Sequence, residues 1–389
     1  MDEPSAKSKP KVLVLKSSLL PLSETFIKEQ CINLSGWKPI LVGKDLVENG
    51  LDLTGLDIRL LDNNYSWFSG KMRRIRLLMQ WSLKSDVELL KKEKAQLVHA
   101  HFGTEVEHAW PLAKALSLPM LVTLHGFDIN IYRQWWESGN GGYWMKRYPS
   151  CLLSIAKERN VHFIAVSQAI KNRAVEYGIP ADKIDVSYIG VDTQTFFPGP
   201  KPLARRREVL YVGRLVEKKG CQYLLEAFLG IQDQFPEYDL IIIGSGPLEN
   251  ELKEYADNNG VRARFLGAQT SEQVRERLGE ARVFCLPSIT SVNGDAEGLG
   301  IVILEAQASG VPVITSALGG STEGIVNGVT GYAHKEKDVG AIQEALARLL
   351  IDDNLANKFG QAARRHILDK MDILKCTHKL EEIYFKNAC

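Results

Sequence analysis

"ARVFCLPSITSVNGDAEGLGIVILEAQASG", residues 281–310, divides into three pieces. "ARVFCLPS" is a short apolar run of the kind that forms a strand buried on both faces. "ITSVNGDAEGLG" is polar and glycine-rich and reads as a loop. "IVILEAQASG" reads as a helix closed by Gly310. The same rhythm runs along the whole chain. "KVLVLK" (11–16), "PILVG" (39–43), "AQLVHAHF" (95–102), "PMLVTLHG" (119–126) and "VHFIAVS" (161–167) read as strands. The series restarts with "EVLYVGRL" (208–215), "YDLIIIGSG" (238–246), "ARFLG" (263–267) and "VPVITS" (311–316). Apolar runs of this type suit parallel strands, and the helical stretches between them make each half an α/β, doubly wound domain. The break lies in "IGVDTQTFFPGPKPLARRRE" (189–208), which holds three prolines and two glycines before a basic run. The last stretch, "DILKCTHKLEEIYFKNAC" (372–389), has helical apolar spacing. Two such domains imply a central cleft, because open α/β sheets bind ligands at the carboxyl ends of their strands.

Bulk properties set limits. The 389 residues suffice for two domains, and 45% hydrophobic with 24% charged residues is an ordinary globular composition. A net charge of +1 argues against general nucleic-acid binding. The cysteines (31, 151, 221, 285, 376, 389) show neither a C-x-x-C pair nor zinc spacing. Cys221 and Cys285 sit in apolar contexts, so buried free thiols and a reducing, cytoplasmic compartment are expected. "MDEPSAKSKP" (1–10) is polar, with no apolar core for a signal peptide. No run approaches the ~18 apolar residues of a membrane span.

Three strand-end stretches in the second half carry chemistry. In "GRLVEKKG" (213–220), Arg214 and Lys219 precede a helix start near Gly220. Two cations beside a helix N-terminus suit a di-anion such as a pyrophosphate, although a charged solvated turn reads the same way. "IGSGPLEN" (243–250) has two glycines but Glu249 where a dinucleotide fingerprint needs a third, so a tight strand-to-helix turn is expected. In the opening stretch, Glu297 precedes the turn, and Gly298 and Gly300 permit close backbone approach. Glu305 lies about 7–8 Å further along the helix axis. A nucleotide sugar has hydroxyls at both ends and an anionic diphosphate between them, which matches this layout. Two scattered exposed glutamates would match it as well.

These residues resemble a known family. Glu297–Gly298–Leu299–Gly300 with Glu305 is similar to the E-x7-E motif of retaining GT-B glycosyltransferases, family 4. "GRLVEKKG" looks like that family's G-R-L-x-x-x-K-G, and "SGVPVITSALGGSTEGIVNGVTGY" (309–332) resembles a further family motif. "VTLHGFDI" (122–129) is similar to its T-x-H-G turn. The likeness is strong over about residues 200–340 and looser before. It implies a GT-B fold of two Rossmann-like domains, with residues 1–10 as a disordered tail. Residues 11–195 would form the acceptor-side domain, joined by a returning C-terminal helix at 372–389, and 196–371 the nucleotide-sugar domain.

The resemblance further implies that Arg214 and Lys219 neutralise the donor diphosphate and that Glu297 contacts the transferred sugar. The amides of Gly298, Leu299 and Gly300 would approach sugar and phosphates, and Glu305 would hold the ribose. Glu323 would give structural support, and the base would pack near "RFLG" (264–267) and Pro287–Ser288. His125 would line the sugar site, with Asp128 orienting its ring. His99 and His101, at i, i+2 without a third ligand, read as structural or acceptor-side residues rather than a metal site. The family's glycine-rich loop after the first strand is absent. "SSLLPLSETFIKEQ" (17–30) stands in its place, with Ser23 expected as a helix N-cap. That variant and the long "TSVNGDAEG" loop look like the exopolysaccharide and colanic-acid branch.

The stretch 71–94 carries eight basic and three acidic residues with amphipathic spacing. It reads either as a solvated helix face or as a contact with the inner face of an anionic membrane. No D-x-D occurs; Asp295–Ala296–Glu297 comes nearest, so no metal and no resident cofactor are expected. The implied reaction is hexosyl transfer from a UDP- or GDP-sugar to a glycan or lipid-linked acceptor in polysaccharide biosynthesis, with retained anomeric configuration. A GT-B-like phosphorylase using a sugar phosphate and a non-catalytic sugar-binding protein are the alternatives. Sugar, base, acceptor, linkage and oligomeric state are not legible.

Overall fold

A computed structural model describes residues 9–48, 50–61 and 81–388. Residues 1–8 of the expected tail and 71–80 of the basic stretch lie outside the described residues. The chain separates into two compact units. One comprises Met1–Val166, Lys171–Ile189 and Cys376–Cys389, and the other Ser167–Ile170 and Gly190–Lys375.

The first unit is built on seven parallel strands: β1 (Lys11–Leu15), β2 (Lys38–Gly43), β3 (Asp57–Leu60), β4 (Leu97–His101), β5 (Met120–Leu124), β6 (Val161–Ala165) and β7 (Ile184–Val186). Their order is β3-β2-β1-β4-β5-β6-β7. The chain direction across the sheet reverses between β1 and β4, where a ligand crevice forms in such sheets. Helices between the strands cover both faces, and β1, β4 and β5 are buried nearly throughout. The C-terminal helix Ile373–Asn387 completes this core, placing Leu380, Ile383 and Tyr384 among Val12, Ile27, Trp37 and Leu97. The rings of Trp37 and Tyr384 meet edge to face, 5.4 Å apart. Glu381 accepts from Ser35 Oγ (3.0 Å) and the Gly36 amide (2.6 Å).

The second unit repeats the plan with β8 (Glu208–Val212), β9 (Asp239–Ile243), β10 (Ala263–Phe265), β11 (Ala281–Leu286), β12 (Val313–Ser316) and β13 (Gly331–His334). The order is β10-β9-β8-β11-β12-β13, all parallel, with the reversal between β8 and β11.

All ten strands read from the sequence are present, and eight of them end one to three residues earlier than the quoted run. The trimmed residues form the turns at the strand ends, and these turns carry Arg214 and His125. Within the two large sheets, the strands that sequence reading did not find, β3, β7 and β13, lie at the edges, and a separate pair, Ser18–Leu19 with Asp45–Leu46, was also missed. An edge strand is covered less completely and needs no continuous apolar run. Cys221 and Cys285 are buried free thiols, with burial raising both. Among the described residues no helix is long and apolar enough to cross a membrane.

Candidate functional site

The turn after β8 and the loop after β11 meet at the reversal point of the second sheet. The chain leaves β8 through Gly213 and Arg214, forms a short 3-10 turn at Glu217–Lys219, and enters the helix Cys221–Leu229 at Gly220. Gly220 has φ +63°, and a Cβ there would overlap the carbonyl oxygen of Pro287, just past β11. Only glycine lets these two strand ends approach so closely. The opposite side of the loop is closed in the same manner, since a Cβ on Gly320 would overlap the carbonyl oxygen of Gly298.

This approach brings Lys219 and Glu297 into an ion pair between Nζ and Oε2, with side chains only 16% and 13% exposed. Burial pushes the Glu297 carboxyl upward, but the cations of Lys219 and Lys218 outweigh it and its pKa lies below the ordinary value. Glu297 is therefore an anion at neutral pH, held beside a cation. Two helices start at this place, Cys221–Leu229 and Ile301–Ala308. Both have glycine at the N-cap and neither has a side-chain cap. Their first-turn amides and dipoles thus favour an anion. Arg214 is exposed, and no side-chain ion pair or hydrogen bond of it is found among the described residues.

Glu305 lies in the second turn of Ile301–Ala308, half-buried. Burial alone raises its carboxyl to about 7. Its side chain has no hydrogen-bond partner among the described residues, so it is available to accept hydroxyl donors. Leu299 is buried and Gly300, at φ +74°, opens the helix. Within the same unit Ser167 Oγ donates to the Gly298 carbonyl (2.8 Å), and Glu323 accepts from the Gln168 and Ala169 amides (2.8 and 2.7 Å). The "IGSG" stretch is the tight turn that the sequence suggests. It is laced to the neighbouring turn by Gly213 N to Ile243 O and Leu215 N to Ser245 O, both 3.0 Å.

His125 lies in the first unit, one residue past β5. His101 Nδ1 and His125 Nε2 are 3.1 Å apart, and their rings stack with centroids 5.3 Å apart. Phe26 and Phe102 pack on the His125 ring, and its Nδ1 is buried with no partner among the described residues. Burial lowers both imidazoles, so both are neutral donors and acceptors at pH 7. His99 is structural, held by Tyr384 OH and Thr123 Oγ1 at 2.6 Å each.

Two expectations need correction. Asp128 does not orient the His125 ring. Its carboxylate accepts the backbone amides of Gly103 (2.7 Å), Gly126 (2.8 Å) and His125 (3.1 Å), so it fixes the turn that carries the ring. Ser23 is not an N-cap. It lies inside a 3-10 turn, Leu22–Glu24, and Glu24 precedes the helix Thr25–Ile32. The Glu24 carboxylate turns away to Lys16 (3.4 Å), which also meets Glu105 at 3.5 Å.

Sequence reading also passed over Lys218 and Asp295, which pair at 2.9 Å immediately beside Lys219 and Glu297. The doubled lysine before Gly220 and the acid two positions before Glu297 were the available signals.

Residues 193–366 match the model described as Glycosyl transferases group 1, and residues 60–195 match Glycosyltransferase Family 4. The amylovoran biosynthesis glycosyltransferase AmsK of Erwinia amylovora is 30% identical over 65% of this chain and 60% of its own length. The GDP-mannose-dependent alpha-(1-6)-phosphatidylinositol monomannoside mannosyltransferase of Mycolicibacterium smegmatis is 35% identical over 52% of this chain and 56% of its own. For the putative colanic acid biosynthesis glycosyltransferase WcaL of Escherichia coli the figures are 33%, 47% and 46%. The matches thus span about half to three-fifths of these relatives. The fold is shared with Anabaena HepE, solved with UDP and glucose, at a TM-score of 0.77, 18% identity, and coverage of 96% of this chain and 99% of that one. A Rickettsia africae glycosyltransferase gives 0.74, 22%, 98% and 99%. With its first part matching one glycosyltransferase model, its second another, and both sheets wound in the same parallel manner, the chain carries two glycosyltransferase-like domains and has the fold of the GT-B glycosyltransferases.

Proposed function

We propose that the protein transfers a hexosyl group from a UDP- or GDP-sugar to a glycan or lipid-linked acceptor in polysaccharide biosynthesis, with retention of configuration. The observation that carries this reading is the Lys219–Glu297 pair at two uncapped helix starts. A diphosphate arriving there finds two sets of backbone amides and the cation of Lys219, with Arg214 exposed on the turn before it. As the diphosphate takes Lys219, Glu297 is released to accept sugar hydroxyls. Glu305 would accept the ribose hydroxyls, and a ribose contact has no purpose in a phosphorylase that uses a sugar phosphate. His125 is assigned a sugar hydrogen bond by the family resemblance.

The acceptor hydroxyl would attack on the leaving-group face. Lys219, Arg214 and the helix dipoles would stabilise the departing nucleoside diphosphate without a metal. The names of the relatives, amylovoran and colanic acid glycosyltransferases among them, support the polysaccharide assignment, and UDP in HepE supports a nucleotide donor. We place the protein at the inner face of the membrane through the stretch 71–94, of which the structure describes 81–94.

The test is thermal-shift binding of UDP, GDP, ADP and their sugars, with and without EDTA, for wild type and Glu305→Ala. One nucleotide should raise the melting temperature irrespective of EDTA, and Glu305→Ala should remove the effect. A wild type that responds to no nucleotide refutes the reading.

A further inference from the structure

We propose that Lys218 and Asp295 are positioning residues of the donor site, a second ion pair that clamps the loop 289–297 onto the turn Glu217–Lys219 and so delivers Glu297 to its place beside Lys219. This rests on the assignment of Lys219 and Glu297 to the donor.

The loop between β11 and the helix Ile301–Ala308 contains no strand or helix of its own. It is shaped internally by Ser291 N to Asp295 O (2.9 Å), Gly294 N to Ser291 O (2.8 Å) and Asp295 N to Asn293 Oδ1 (3.0 Å). These bonds fold residues 291–295 on themselves. Three contacts join the loop to the neighbouring turn. Ile289 N donates to Lys218 O at 2.8 Å, Lys218 Nζ reaches Asp295 Oδ2 at 2.9 Å, and Lys219 pairs with Glu297. On its far side Glu336 accepts from both the amide and the hydroxyl of Thr290 at 2.8 Å, and the carbonyls of Ser288 and Gly298 accept from Ser316 Oγ and Ser167 Oγ.

Of the three attachments, the Lys219–Glu297 contact cannot serve as a permanent one, because the proposed donor competes for both partners. The Lys218–Asp295 pair is a separate contact that can persist through that exchange, and the Lys218 cation continues to hold the Glu297 carboxyl down. Its side chains are 23% and 18% exposed, so it is shielded from the screening that makes most surface pairs worthless. Asp295 is also the acid of the near-D-x-D sequence Asp295–Ala296–Glu297. Both of its carboxylates already hold lysines. The sequence that resembles a metal motif is therefore filled by the protein's own cations.

Hydrogen exchange tests the clamp without any ligand. The amides of residues 289, 291, 294 and 295 should exchange about tenfold or more faster in Lys218→Met and in Asp295→Asn than in wild type. The charge swap Lys218→Asp with Asp295→Lys should restore the slow rates. Titrations with UDP and UDP-glucose, and with GDP and GDP-mannose, test positioning. A displaced Glu297 should weaken the nucleotide sugar by about tenfold more than the nucleotide alone. Equal losses for both, or unchanged exchange in both single variants, overturn the proposal. A wild type that binds none of the four probes refutes the donor reading instead, and the exchange data still decide whether the clamp exists.

Discussion

Lys219→Met separates a working site from a merely charged one. The Lys219 and Glu297 side chains are 16% and 13% exposed, closer to a buried pair than to a surface pair. Removing one member of a buried pair costs about 3–5 kcal/mol, whereas exposed pairs are worth about 0–1. Residual solvent access places the substitution at about 2–3 kcal/mol. In a unit of this size that lowers Tm by roughly 4–10 °C. The pH dependence carries a sign. In wild type the folded pKa of Glu297 lies below its unfolded value, so its stabilisation is present above pH ~4.5 and is lost as pH falls through the folded pKa. Without Lys219, only Lys218 and the Gly298 amide still oppose burial, and the folded pKa rises. The gap from wild type then grows as pH rises through the two folded values. Wild type and Lys219→Met should therefore differ most at pH 7–8 and converge toward pH 4. Lys219→Met combined with Glu297→Gln should recover most of the loss at pH 7. Calorimetric melts of the four proteins between pH 4 and 8 measure this directly. A gap that stays constant with pH, or a double variant no better than the single, would refute the electrostatic account of the site.

Two further predictions follow the same physics. Glu305→Gln should be more stable than wild type at pH 8, by roughly 2–5 °C, and equal to it near pH 4, because burial raises the carboxyl to about 7 and its ionisation destabilises the fold as pH climbs; the same variant should bind nucleotide about tenfold more weakly, as charge-assisted hydrogen bonds are lost. Gly320→Ala should cost about 1–3 kcal/mol, because a Cβ meets the Gly298 carbonyl and neither backbone segment can yield freely. Its effect should appear in urea melts as a lower midpoint with unchanged slope.

Strands covered on both faces were readable because burial favours consecutive apolar residues, and β1, β5, β8, β9 and β11 each have at least three in a row. The half-covered edges β3, β7 and β13 carry no such demand. Lys219 was legible because it stands next to Gly220, which the backbone geometry requires, and Glu297 because it precedes the turn that Gly300 closes at φ +74°. The Lys218–Asp295 contact bridges residues 77 positions apart and leaves no local pattern. Asp128 shows the converse failure. An acid three residues from a histidine suggests a ring contact, yet three backbone amides nearby offered it better-directed partners.

The C-terminal helix gives the molecule an order of assembly. β1 begins at Lys11, but the core it helps to build includes Leu380, Ile383 and Tyr384. On the ribosome, the first unit to emerge therefore waits for the last. The second unit has every strand of its sheet by residue 334 and can close while the first still lacks one wall. In the interval Trp37 and its apolar neighbours stay uncovered, which makes the half-made chain a natural client for chaperones. Deleting residues 376–387 would therefore damage the core built around β1.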